Sequence, residues 1–328
     1  MKAIAIEAFG GSDKLRLMDL PMPQPAAGEI RIRVKAAAVN PVDWKVCEGK
    51  LQGRFPHEFP LIPGWDAAGV VDACGPGAAK FKPGDEVYAY CRKPLLRHGT
   101  YAEYLCIAES AAARKPARLS FEEAAAVPLA GLTAYQCLVD AAGLQSGQSA
   151  LIHAAAGGVG GFGVQIAKNL GARVLGTAGS ANQAHIRSLG VDEPIDYTRE
   201  DFVAAVRRLH PEGVDVAFDT VGGAVQAKSA DALKKGGVLV SILAYTDEAA
   251  LKAKGIQTKY VFVAPNGAQL EVLAKWADEG RLRVPLAAVL PLAEAAKAHE
   301  LSRGGHTRGK IVLRVGWGLA QDRVPAVA

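Results

Sequence analysis

Ala155, Gly157 and Gly160 are spaced as small-x-small-x-x-Gly inside SALIHAAAGGVGGFGVQIAKNLG (149–171). Residues without bulk at that spacing suit one chemistry: bare backbone brought close to a diphosphate, with the free N–H groups and positive dipole end of a helix aimed at it. Gly157 then faces the phosphates, Gly158 and Val159 are candidate cofactor contacts beside it, and Gly160 permits close packing of helix on strand. Gly158, Gly160 and Gly163 spell the same motif in a second register. The first register is preferred because a tight turn has to follow the strand directly. The bland alternative is a Gly-rich surface loop.

The elements needed to hold such a turn are present. Ala150, Leu151 and Ile152 form a short apolar run ending at His153, and after the glycines Val159, Gly163, Ile166 and Leu170 fall on one helical face. Gly171 supplies a left-handed stop. Strand, glycine turn and helix are the context in which the motif signifies a dinucleotide. The next strand, ARVLGT (172–177), runs into Ala178, Gly179, Ser180, Ala181, Asn182 and Gln183, with no carboxylate before Asp192. An acid there would bind a ribose 2′-hydroxyl and repel a 2′-phosphate. Its absence, with donors at Ser180, Asn182, Gln183 and Arg187, favours NADPH over NADH. Ser180 is equally placed to cap the following helix.

Length and composition bound the remaining possibilities. A chain of 328 residues is expected to hold two domains, and 50% hydrophobic with 22% charged residues is ordinary for a globular protein. The net charge of +5 is spread without a basic run, so no nucleic acid partner is expected. No apolar stretch reaches membrane-spanning length, and MKAIAIEAFGG begins a strand-like alternation, so a cytoplasmic location is the expectation. Cys47, Cys74, Cys91, Cys106 and Cys137 form no C-x-x-C pair and are odd in number, which argues for idle thiols in a reducing compartment.

Residues 1–124 read as β-rich. Ile30, Ile32 and Val34 alternate with Arg31, Arg33 and Lys35, and turn signals recur at 75–77 and 82–85. From 125 to 265 apolar strands alternate with helical segments and end at KYVFV (259–263), the rhythm of a doubly wound parallel sheet. Residues 266–328 carry two helices and the strand GKIVLRV, and are expected to complete the first domain. The tail after Trp317 is expected to fray. The fold class is therefore α/β: a β-rich domain plus a Rossmann domain.

Short stretches across nearly the whole chain resemble the medium-chain dehydrogenase/reductase superfamily: VNPVDWK (39–45), PGWDAAGVV (63–71), KPGDEVYAY (82–90), GTYAEY (99–104), VPLAGLTAY (127–135), HAAAGGVG (153–160) and GKIVL (309–313). The branch they resemble most is the zinc-free quinone oxidoreductases and enone reductases, the zeta-crystallin group. That resemblance implies a GroES-like catalytic domain beside the Rossmann domain, and a homodimer. Asn40, Trp65 and Leu129 match the positions that hold catalytic zinc in metal-dependent relatives. An amide, an indole and an isobutyl group make no zinc site, so no metal is expected.

The resemblance also places Tyr197 against the adenosine phosphate, Thr133 near the nicotinamide, and the backbone of Leu243, Ala244, Phe262 and Val263 along it. Each has a plainer alternative: a strand-end aromatic, a helix residue bonding its own backbone, and sheet core. Without a metal, hydride addition suits acceptors whose anion is delocalised, namely quinones and α,β-unsaturated carbonyls. The candidate catalytic residues are Asn40, to hydrogen-bond the carbonyl or the ribose; Lys45, to offset the developing oxyanion; and Asp43, to orient them. Their alternatives are a backbone bond in a Pro turn, a solvated ammonium and a helix cap. The competing functional reading is an NADPH-binding protein without turnover, crystallin-like or RNA-associating.

Overall fold

The computed structural model describes residues 1–305 and 307–316, so the tail after Trp317 lies outside the described residues. Six strands form an all-parallel sheet in the order Glu193–Asp196, Arg173–Ala178, Ser149–Ile152, Val214–Asp219, Leu233–Ser241, Gln257–Tyr260. The chain starts in the middle, builds to one edge, then returns and builds to the other. The order therefore reverses between Ser149–Ile152 and Val214–Asp219, where such sheets bind ligands.

Alternation along the strands accounts for burial on both faces. Ala150, Ile152 and Val174 join the large core that runs through the molecule. Leu151 and Leu175, pointing the other way, pack with Phe202, Val206 and Leu239 in a second core. Helices Gly158–Asn169, Gln183–Ser188 and Phe202–Leu209 follow the first three strands. Asp201 caps the last of these by accepting from the Ala204 N–H at 3.0 Å.

The β-rich part centres on a seven-stranded sheet, ordered Leu286–Pro291, Lys310–Arg314, Glu29–Val39, Asp66–Cys74, Glu86–Tyr90, Ala112–Arg114, with Tyr104–Ala108 also on Glu29–Val39. The late strand Lys310–Arg314 returns here and pairs antiparallel with residues 36–39. This register brings Lys310 beside Asn40. Among the described residues no helix is long and apolar enough to cross a membrane.

The last parallel strand differs from expectation. It covers Gln257–Tyr260 rather than 259–263, so Val261, Phe262 and Val263 leave the sheet edge. Ser180 does not cap a helix either. It lies in a short turn of 3-10 helix, Ser180–Asn182, and its hydroxyl is used elsewhere.

Candidate active site

The glycine turn is built as a cradle. The chain leaves the strand at His153 and turns at Ala154, a non-glycine residue with φ +48°, whose N–H donates to Thr177 Oγ1 at 3.3 Å. A Cβ at Gly160 would stand 2.2 Å from the Ala154 carbonyl oxygen, so only glycine lets the helix approach the turn this closely. At Gly157 the nearest neighbour of such a Cβ is 3.3 Å away, and a methyl there would fill the bend without wrecking it. That asymmetry matches the register beginning at Ala155. Gly157 flanks the helix Gly158–Asn169, whose first-turn N–H groups lack partners within the helix. Beside the turn, a cavity of about 660 Å³ opens between His153, Thr177, Tyr197, Phe202, Val225 and Lys228. A bare turn, free N–H groups and a cavity at the order reversal fit a dinucleotide.

The end of the second parallel strand holds a carboxylate from its neighbour. Ser180 Oγ donates to Asp196, and Thr198 Oγ1 donates to the same carboxylate at 2.6 Å. These two hydroxyls hold the Asp196 pKa below its ordinary value. Gly179 gives Tyr197 room: a Cβ there would lie 3.6 Å from the tyrosine hydroxyl, and the ring is 60% exposed at the cavity edge. Gln183 donates to the Ala178 carbonyl at 2.8 Å. Arg308, from the approach to the last strand, donates to Asn182 Oδ1 at 3.0 Å and to the Ala181 carbonyl at 3.1 Å. The turn thus carries an arginine and an aspartate that inspection of the second strand alone missed.

A buried polar cluster lies where the last strand passes the glycine turn. Gly309 N–H donates to Ala156 O at 3.1 Å, and a Cβ at Gly158 would meet Lys310 Cδ at 2.8 Å. Lys310 Nζ donates to Asn40 Oδ1 and stands 4.0 Å from Asp66. Asn40 Nδ2 donates to Asp66 Oδ2 at 2.9 Å, while the Leu129 N–H donates to Asp66 Oδ1 at 2.8 Å. Asp66 is fully buried, and burial raises its pKa to about 6 against the pull of the Lys310 ammonium. Burial lowers the Lys310 pKa, opposed by Asp66 and Asp43. The ion pair offsets in part what either charge would cost alone.

Asp43 accepts from the Asn40 backbone N–H at 2.8 Å and from the Tyr101 hydroxyl at 3.2 Å, so it fastens the start of the helix Pro41–Cys47. Burial, with Asp66 nearby, pushes it up to about 7. Tyr101 in turn lies 3.2 Å from His299 Nε2. Lys45 is not part of this group: its ammonium sits 5.3 Å above the Trp44 ring, and half-burial lowers its pKa. Sequence reading named Asn40 and Asp43, yet missed Asp66, Lys310, Tyr101 and His299. The lysine of GKIVL was the available signal.

Thr133 Oγ1 donates to the Leu129 carbonyl at 2.6 Å, the plainer of its two expected roles. Leu243 is held through its N–H on Ser241 Oγ at 3.0 Å and its carbonyl on Gln226 at 3.3 Å, with Ala244 exposed beyond it. Val263 is buried. Phe262 meets Phe55 at 5.8 Å, Phe55 meets Trp65 at 6.2 Å, and Trp65 meets Tyr90 at 6.1 Å, an aromatic wall joining the two sheets. Asn40, Trp65 and Leu129 do converge around Asp66, but offer an amide, an indole and an aliphatic chain. Among the described residues no three His, Cys, Asp or Glu side chains gather as a metal site. A tetrahedral zinc centre does not fit this set.

Two family models match the chain: the alcohol dehydrogenase GroES-like domain over residues 26–117 and the zinc-binding dehydrogenase over residues 189–313. The chloroplast envelope quinone oxidoreductase homolog of Arabidopsis thaliana is 32% identical over 95% of this chain and 98% of its own. The 2-methylene-furan-3-one reductase of Solanum lycopersicum is 34% identical over 95% of this chain and 79% of its own. The Escherichia coli quinone oxidoreductase complexed with NADPH superposes with a TM-score of 0.86 at 29% identity, over 96% of this chain and 100% of the other.

Proposed function

Because the chain belongs to the quinone oxidoreductase branch of the medium-chain dehydrogenase/reductase superfamily, and is an oxidoreductase that binds a nicotinamide cofactor, we propose that it reduces quinones or α,β-unsaturated carbonyls with NADPH and without catalytic zinc. The observation that carries the reading is the donor set at Asn40, Trp65 and Leu129. It supplies no metal ligands, yet stands beside a glycine turn shaped for a dinucleotide. In this reading the chain divides into a catalytic domain at 1–124, completed by 266–328, and a cofactor domain at 125–265.

A reduced nicotinamide, when bound, supplies the hydride. The backbone from Gly157 to Gly160 would hold its phosphates. Gly179, Ser180, Tyr197 and Arg308 would surround the adenosine end, and Thr133, Leu243, Ala244, Phe262 and Val263 the other. Lys310 and Asp66 fix the plane of the Asn40 amide, and its remaining amide hydrogen is the donor assigned to the acceptor oxygen. Asp43 keeps Asn40 in place from the backbone side. Lys45, its ammonium held over the Trp44 ring, stands outside this arrangement. Most of the acceleration would come from holding donor and acceptor together away from water.

Among the described residues the Gln257–Tyr260 strand has one neighbour in its sheet, and we assign its other edge to a homodimer contact. Residence in the cytoplasm remains part of this reading. Steady-state oxidation of NADPH with a panel of quinones and alkenals, before and after chelator treatment, tests the whole. Turnover that survives chelation is expected. Silence across the panel with NADPH bound would favour the non-catalytic alternative.

A further inference from the structure

Arg54 and Arg92 converge on the ring of Phe262, a residue whose backbone the proposed function places along the nicotinamide. The Arg54 guanidinium lies 3.7 Å and that of Arg92 5.3 Å from the Phe262 centroid. Arg92 also stands 5.3 Å from the Phe55 ring and 5.9 Å from the Tyr90 ring, and its Nε donates to the Tyr90 hydroxyl at 3.1 Å. Arg54 donates to the Tyr260 hydroxyl at 3.3 Å. Their described polar partners are thus phenols, which leave both charges unneutralised. The nearby buried carboxylate, Asp66, is already matched by Lys310.

Two like charges on one aromatic ring repel each other. Cation–π contact compensates by only about 0.5–2 kcal/mol each. An anion between them would relieve the repulsion, and a planar guanidinium presents parallel N–H donors to a carboxylate or sulfonate. The partly exposed rings of Phe55 and Phe262 supply flat apolar surface for a second planar ring, with Trp65 and Tyr90 buried beside them.

We propose that Arg54 and Arg92 make this site selective for planar aromatic quinones or enones that carry a negative charge, the guanidiniums gripping the anionic substituent while the rings take the carbon skeleton. The inference rests on the proposed reductase reading. The bond changes are those of that reaction: the acceptor gains a hydride and a proton, the nicotinamide is oxidised, and the anionic substituent is unchanged.

The test compares kcat/KM for a naphthoquinone sulfonate with that for neutral menadione, read as a ratio in each enzyme so that differences in intrinsic reactivity cancel. Arg92→Gln and Arg54→Gln are expected to lower the ratio by roughly fivefold or more, with Arg92→Lys, which keeps the charge but loses the planar fork, falling between Arg92→Gln and the parent. Arg54 is exposed, so its variant remains informative if Arg92→Gln fails to fold. A ratio unchanged in both Gln variants, or in Arg54→Gln alone where Arg92→Gln does not fold, overturns the proposal. Calorimetric binding of redox-inert naphthalene sulfonate decides it independently of turnover. Binding that weakens in roughly 0.5 M salt, where screening reaches within about 5 Å, supports the proposal. Absence of binding, or affinity indifferent to salt, contradicts it. Failure of both quinones as substrates would sink the reductase reading and leave this binding arm to judge the anion site.

Discussion

Lys310 Nζ and the Asp66 carboxylate face each other at 4.0 Å inside the protein, both almost wholly buried, with Asn40 hydrogen-bonded to each. The lysine arrives from the last strand, the aspartate from a strand more than two hundred residues earlier in the chain. Their meeting ties the late strand Lys310–Arg314 to the start of the strand Asp66–Cys74. Replacing Lys310 by Met leaves a buried carboxylate without its cation, and is expected to cost about 3–5 kcal/mol in urea unfolding. Adding Asp66→Asn to that variant should recover part of the loss. Independent, additive costs would show that the two charges are not coupled.

Gly157 and Gly160 should fail in different ways. A methyl at Gly160 collides with the Ala154 carbonyl at 2.2 Å, so Gly160→Ala is expected to lower the melting temperature by several degrees. Gly157→Ala would meet the same carbonyl at 3.3 Å, a tight contact relieved by a shift of a few tenths of an ångström, and should change the melting temperature far less while losing NADPH affinity by roughly tenfold or more, measured by fluorescence titration. Equal affinity in Gly157→Ala and the parent would remove the phosphates from that bend.

His153 should make the fold acid-sensitive. It is buried between Thr177 Oγ1 at 3.2 Å, Ser229 Oγ at 2.9 Å and the edge-on ring of Phe202, with Asp219 the charge acting on it. Burial lowers its pKa from 6.5 to about 4, with Asp219 opposing. Between those values the unfolded chain binds the proton and the folded one does not, so stability is lost as pH falls from about 6.5 to 4. His299, also brought down to about 4, acts in the same direction, whereas Asp43 and Asp66, whose pKa values are raised, act oppositely. The His153 contribution is therefore read by difference. His153→Asn should shrink the loss of stability between pH 7 and 4 by up to about 3 kcal/mol, at about 1.36 kcal/mol per pH unit. An unchanged pH profile would refute the assignment.

Asp196 should govern the choice between NADPH and NADH. Its carboxylate takes the hydroxyl of Ser180, which the sequence offers to a 2′-phosphate. Asp196→Asn removes a negative charge from that corner and frees the hydroxyl, and is expected to raise the NADPH:NADH ratio of kcat/KM by roughly fivefold. Ser180→Ala should lower it. A ratio that ignores both changes would place the ribose elsewhere.

Local pattern made the parallel sheet and its glycine turn legible, since alternating apolar strands and a helix opening on glycine are written in consecutive residues. Asn40 and Asp43 were visible as polar residues flanking a proline. Their partners were not: Asp66, Tyr101, His299 and Lys310 come from four distant segments, and only the pairing of 310–314 with 36–39 brings the lysine to the asparagine. Asp196 was hidden because it belongs to the third strand, in register with Ala178 across the sheet, rather than to the second. The end of the last parallel strand differs from expectation because Val261, Phe262 and Val263 continue an extended apolar run past Tyr260, yet serve the aromatic wall and core instead of the ladder.

The central step of the proposed reaction is hydride leaving a cofactor held by the glycine turn for a conjugated acceptor. Rapid anaerobic mixing of the chelator-treated protein, preloaded with NADPH, against menadione measures this directly. Loss of the nicotinamide absorbance in one exponential, matched mole for mole by hydroquinone, is the predicted result. Retained absorbance with NADPH demonstrably bound, or turnover appearing only when zinc is restored, would contradict it.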